Sequence, residues 1–306
     1  MDERVHLWET PTEKEKIMIA GWHQWADAGS ISSGLPAYLI QKFEARKIGE
    51  ISRDRFFLFQ MPGAHHLLRP EVHTKEGVVQ EMRVIKSELH YAEFGEKGLV
   101  IFLGEEPHVN EEEYAEAFLD IAEALDVKRI VAVGGVYGAM PFNKDRDISC
   151  VFSMEAMRKE MEEYAVRFSN YEGGTTIGSY LAYHAGQRNV EYICFHGFVP
   201  AYDFGQVMLP AQSVRIEDDV KAWYDILRRA DFMFHLGIDL SELRIQSDEL
   251  TTSMEEQMEE LARQAPQLDV HAYMQKLEEE FTENPFMPLD DVWERELGDL
   301  LDDLES

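Results

Sequence analysis

Apolar runs of five to ten residues alternate along the chain with longer stretches in which apolar positions recur every three or four residues. A run of the first kind suits a strand buried on both faces; the second kind suits one face of a helix. The runs at 17–21, 55–60, 99–104, 129–135 and 190–199 are therefore predicted as strands, and the stretches at 31–43, 111–125, 175–187 and 213–229 as helices. Such alternation is the pattern of an α/β protein with helices laid on the faces of a sheet. Residues 69–86 read as a hairpin, two polar–apolar arms around Lys75-Glu76-Gly77, which predicts an antiparallel pair joining the sheet and makes that sheet mixed. Three runs end in glycine-containing turns: "GWHQWADAG", "GEEPHVNEEE" and "GGVYGAMPFN". Loops leaving the carboxyl ends of parallel strands gather along one edge, so these three are expected to border a common crevice.

Beyond residue 246 the pattern stays helical and the composition changes. Residues 254–306 carry 17 acidic and 3 basic side chains. Leu250, Met254, Met258 and Leu261 share one helical face, as do Val270, Leu277 and Phe281, and then Trp293, Leu297, Leu300 and Leu304. Pro266, Pro285 and Pro288 divide the segment, which predicts short helices that dock on an apolar surface. The expected organisation is thus a body over residues 1–246 and an acidic helical extension over 247–306.

The whole chain of 306 residues has 59 acids against 29 bases, a net charge of −30. That charge opposes binding to nucleic acid or to an anionic membrane. The start, "MDERVHLWET", is charged, and no apolar stretch approaches the ~18 residues of a membrane span, so a cytoplasmic, soluble protein is expected. Cys150 and Cys194 both sit in apolar strand-like runs and read as buried thiols.

Chemistry-bearing positions concentrate in the turns. Gly29 and Ser30 fit either a helix cap or an anion site at a helix N-terminus, and Asp27 fits a side chain bonding the turn backbone. Trp22 and Trp25 either roof a pocket or pack as lids on the core. Glu105 or Glu106 could act as a general base; equally, they are solvated carboxylates leading into an acidic helix start. His65-His66 and the Glu105–His108 cluster lack the spacing of a metal site, and no metal or cofactor is expected. No nucleophile elbow, phosphate loop or dinucleotide fingerprint occurs, and His196 in "YICFHGFVPAY" reads as a core imidazole.

Taken in order, "GWHQWADAG", "LLRPEVH", "VIFLGEEPH", "IVAVGGVYGAMP", "YEGGTTIGSYL" and "CFHGFVPAY" resemble the proteasome-assembly-chaperone family. The resemblance covers roughly residues 16–245. It implies a three-layer α/β/α body of phosphorylase/hydrolase-like type, frequent assembly into homo-oligomers, and no agreed catalytic residues. Its motif positions are Gly21, Asp27, Ala28 and Gly29 in the first turn, Arg69 and Pro70 in the Arg-Pro step, Gly104, Glu105 and Pro107 in the second turn, and Gly134 and Gly135 in the double glycine. "PFNKDR" at 141–146 departs from the segment that relatives tend to carry there. The expected function is a non-enzymatic, homo-oligomeric, protein-binding role of chaperone type. The alternative is a small-molecule hydrolase or nucleosidase-like enzyme with Glu105 or Glu106 as base and Asp27 or Arg69 orienting substrate; Trp22, Trp25, Asp27, Gly29, Arg69, Gly104, Glu105, Pro107, Gly134 and Gly135 would line its pocket, or an interface.

Overall fold

The structure is a computed structural model that describes residues 4–12, 15–59, 69–204 and 214–286. In chain order the strands are β1 (Val5–Leu7), β2 (Glu15–His23), β3 (Arg46–Ile51), β4 (Glu71–Lys75), β5 (Val78–Arg83), β6 (Glu88–Phe94), β7 (Lys97–Glu105), β8 (Val127–Gly138), β9 (Ile148–Phe152), β10 (Arg167–Phe168), β11 (Glu191–Tyr202) and β12 (Val214–Arg215). The helices are α1 (Ile31–Lys42), α2 (Glu111–Ala124), α3 (Arg158–Met161), α4 (Ile177–Gln187), α5 (Val220–Phe234), α6 (Ser241–Gln264) and α7 (Val270–Glu280).

Among the described residues the main sheet has ten strands, in the order β1-β3-β6-β7-β2-β8-β11-β9-β10 with β12 beside β11. Its centre, β7-β2-β8-β11, is parallel. These strands are the apolar runs of the sequence, buried on both faces: β2 is buried from Lys16 to Trp22. Antiparallel pairs flank this centre, β1 with β3, β3 with β6, β6 with β7, and β9 with β11. One core lies between the sheet and α1, α5 and α6, and the other between the sheet and α2 and α4, which makes three layers.

Several expectations need correction. Of the run at 55–60, residues 55–59 form no strand: Phe56 and Phe57 are buried in a loop, where the Phe56 carbonyl accepts the His108 and Val109 N–H groups and the Leu58 N–H reaches His108 Nδ1. Their burial comes from a loop wedged under α2, which an apolar run alone cannot distinguish from a strand. The helix expected from 213 begins at Val220, after a short strand. The hairpin forms around Glu76-Gly77, both at positive φ, yet among the described residues it pairs only with itself and stays outside the main sheet. The sheet is mixed because of other strands.

The stripe Leu250, Met254, Met258 and Leu261 belongs to one 24-residue helix, α6, which starts at Ser241 and runs unbroken across position 246. It packs on the core through buried Met254 and Met258. Pro266 opens a 3-10 turn before α7, as a proline stop requires. Val270 and Phe286 are buried against the same core. Trp293, Leu297, Leu300 and Leu304 lie outside the described residues, as do His65 and His66.

Candidate functional site

The parallel register aligns His23 at the end of β2 with Glu105 at the end of β7, and Asp27 bridges to Gly135 of β8. All three turns therefore lie along one edge of the sheet. The double glycine sits inside β8 instead of after it, since the strand continues to Gly138. Its role is steric. A Cβ on Gly135 would stand 1.9 Å from the Ala28 carbonyl oxygen, and one on Gly134 would stand 2.9 Å from His196 Cδ2. Gly21 meets the same constraint, because a Cβ there would stand 1.8 Å from the Ser32 carbonyl oxygen. These glycines let the 26–30 turn and the start of α1 press directly onto β2 and β8. A Cβ on Gly104 would instead press on the Phe102 ring, 2.8 Å away.

Trp22 does not roof a pocket. Its alternation along β2 points it into the core beneath α2, where it is fully buried between the Phe102 and Phe118 rings, and its Nε1 donates to the Tyr114 hydroxyl at 2.9 Å. Trp25, three residues on, is 66% exposed. Pro107 is half-buried in the turn between β7 and α2. Arg69 stacks on Phe59 at 4.8 Å and, with Pro70, opens the hairpin segment.

Asp27 is the cap of α1. One carboxylate oxygen accepts the Ser32 and Ser33 N–H groups at 2.7 and 3.0 Å, and the other accepts the Ser33 hydroxyl at 2.6 Å. Ser30, the alternative cap, makes no capping bond; it takes a left-handed φ of 48° and donates its hydroxyl to the Glu217 carbonyl. Gly29, with φ 62°, turns the chain, and its carbonyl accepts both the Asp219 N–H and Trp223 Nε1. Burial raises the Asp27 carboxyl above its ordinary value, against the pull of the Ser33 and Ser32 bonds and of His23.

Glu106 stands near the start of α4, a helix capped by Thr176 through the Ser179 N–H. Burial raises its carboxyl, while the backbone N–H groups of Trp25 and Ile177, the first residue of α4, pull the other way. Glu105 differs. Its carboxylate makes no hydrogen bond among the described residues, and it is raised chiefly by burial, then by Asp27, with His23 opposing. A carboxyl raised on folding binds its proton more readily in the folded chain, so it contributes stability below the ordinary value of 4.5 and loses that contribution as pH rises through the raised one. Glu105→Gln is therefore expected to raise the melting temperature at pH 7, with the gain over wild type vanishing below about pH 4.5. A variant less stable than wild type at pH 7 would mean that a favourable partner holds this carboxylate.

On the other face of the sheet, His196 is buried, and burial lowers it to about 4, so it is neutral at pH 7. Its polar neighbours are Thr176 Oγ1 at 3.4 Å and Cys194 Sγ at 3.6 Å. Burial raises the Cys194 thiol and takes Cys150 to about 12, so neither supplies a thiolate. Among the described residues no group of three or more His, Cys, Asp or Glu side chains is arranged to hold a metal ion, and no helix is long and apolar enough to cross a membrane.

Sequence reading missed a buried ion network behind the first turn. Arg146, in "PFNKDR", donates Nε to Asp219 Oδ2 at 2.8 Å and Nη2 to Oδ1 at 3.2 Å, and its Nη1 donates to the Phe142 and Lys144 carbonyls. The same Asp219 caps α5 through the Ala222 N–H. Asp225 accepts the Arg146 N–H, and Arg229 donates to the Tyr164, Ala165 and Asp225 carbonyls. The legible signal was Asp219 just before an amphipathic run, a preferred N-cap. The departure at 141–146 thus wires the strand-end turn to α5.

Among curated proteins no relative matches the chain. Solved structures do. A PAC2 family protein from Streptomyces avermitilis is 22% identical at a TM-score of 0.67, covering 85% of this chain and 99% of that one. A Mycobacterium tuberculosis protein of unknown function, Rv2714, is 16% identical at a TM-score of 0.73, covering 91% and 88%. PbaB of Pyrococcus furiosus, an archaeal proteasome activator, is 19% identical at a TM-score of 0.58, covering 84% and 97%. At these identities the structures establish a shared fold. The family model described as the PAC2 family matches residues 21–258, from the glycine of the first turn into α6, and so spans every strand of the parallel centre from that turn onward. With the three strand-end turns placed along one sheet edge, and most of the chain matched, the protein belongs to the PAC2 family.

Proposed function

We propose that this chain is a non-enzymatic, self-associating, protein-binding member of the family with a chaperone-like role in the cytoplasm. The observation that carries the reading is the use of the strand-end acid Asp27, which is bound to the amides that start α1. Carboxylates fixed on helix termini hold the scaffold and are poorly placed to shuttle protons. The reading keeps a phosphorylase/hydrolase-like body over residues 1–246 with an acidic helical extension over 247–306. Relatives support a protein-directed role, since PbaB is a proteasome activator.

Self-association is tested by light scattering over a wide concentration range. The expected mass is a multiple of 35.4 kDa. A mass of 35.4 kDa throughout would overturn it. Glu105, a strand-end carboxylate with no hydrogen bond among the described residues, favours the enzymatic reading. A thermal-shift screen with nucleosides, nucleotides and small metabolites separates the two, because a ligand at 100 times its Kd adds about 2.7 kcal/mol. A shift abolished by Glu105→Gln would establish a ligand site.

A further inference from the structure

Among the described residues the β4–β5 hairpin pairs with no other strand, and every residue in both of its strands is exposed. Its register sets Val72 opposite Met82, Thr74 opposite Val79 and His73 opposite Glu81, with an irregularity between His73 and Thr74. Opposed residues share a face, and neighbours along a strand alternate. One face therefore carries Val72, Thr74, Val79 and Met82, and the other carries Glu71, His73, Lys75, Glu81 and Arg83 with a single apolar residue, Val78, opposite Lys75 at the turn end. The irregularity matters here: it keeps Val79 and Met82, an odd number of residues apart, on the same side. Val72, Val79 and Met82 are 55%, 56% and 59% exposed.

A two-stranded hairpin is marginal in water by itself, and an open apolar face on it calls for a cover. The charge pattern says which cover. Residues 71–86 hold three acidic and three basic side chains, on a chain whose net charge is −30. Two copies of so acidic a protein repel across most of their surfaces, and they can meet without opposing like charges where the surface is neutral and apolar. A basic partner would find its complement on the acidic surface elsewhere. We infer that the Val72–Val79–Met82 face of the hairpin docks on a second copy of this chain. The inference rests on the self-association proposed above and adds the surface that carries it.

The test is light scattering of the full chain beside its Val79→Lys/Met82→Lys variant, with circular dichroism to check folding. The hairpin shares no strand pairing with the main sheet, so the variant is expected to keep the wild-type spectrum. Wild type is expected at a multiple of 35.4 kDa and the variant at 35.4 kDa. Added salt should tighten the wild-type assembly, since it screens the repulsion between acidic copies and leaves the apolar contact in place. Should the double variant unfold, Met82→Gln supplies the same readings, as at least a tenfold weaker association. An assembled wild type whose mass the folded variant keeps overturns hairpin docking and leaves self-association standing; that outcome would also follow if the face served a different protein. A wild type that is monomeric at every concentration overturns both.

Discussion

Arg146→Ala is expected to lower stability by about 3–5 kcal/mol, because it leaves a buried carboxylate without its counter-charge. Arg146 and Asp219 have side chains only 1% and 0% exposed, and they meet in a two-pronged contact. Water cannot replace the guanidinium there. The loss spreads further than one pair. Asp219 also holds the first turn of α5 and, through its N–H, the Gly29 carbonyl, so an unbalanced Asp219 loosens both. At about 2–4 °C per kcal/mol, the figure for domains of 150–250 residues, the melting temperature should fall by on the order of 10 °C. Urea denaturation gives the number directly, and a cost below about 1 kcal/mol would mean that the pair is solvated in solution. Pairing the change with Asp219→Asn should recover part of the loss, since the uncompensated charge then disappears.

Trp22→Ala is expected to cost about 3–5 kcal/mol, the range for truncating a large aromatic in a core. The indole fills the space among Phe102, Phe118 and Tyr114, and no exposed side chain is at hand to collapse into the void. Trp22→Phe keeps most of that packing and removes the hydrogen bond to the Tyr114 hydroxyl, for a smaller loss of about 1–3 kcal/mol. Trp25→Ala, by contrast, should change stability by no more than about 0.5 kcal/mol, because that ring is mostly in water. Thermal and urea unfolding of the three variants make the comparison. Equal losses at the two tryptophans would show that the turn buries both rings.

How much could be read beforehand varies with the physics of each feature. The parallel centre was legible because strands buried on both faces appear as unbroken apolar runs, as in 99–104 and 190–199. β3 and β6 were not: each mixes polar and apolar residues, with Lys47, Glu50, Glu88 and His90 among them, because one side of these flanking strands meets solvent. The Phe56-Phe57 run looked like a strand, since an apolar run reports burial without reporting backbone conformation. In the candidate site, the glycines and Asp27 were visible as turn residues. Their partners were not, because Gly135 meets Ala28 and Gly21 meets Ser32 only after the helix folds back over the sheet.

The sequence by itself determined the α/β class, the edge on which the three turns gather, the hairpin and its turn, and the family. Each of these follows from local periodicity, from turn chemistry or from the order of short motifs, all of which are properties of neighbours along the chain. Tertiary structure alone decided which tryptophan is core, which carboxylate caps which helix, that Arg146 and Asp219 neutralise each other 73 residues apart, and that the hairpin stands outside the sheet. Those outcomes depend on desolvation and on pairing between distant segments, and a side chain's surroundings exist only once the layers have closed around it.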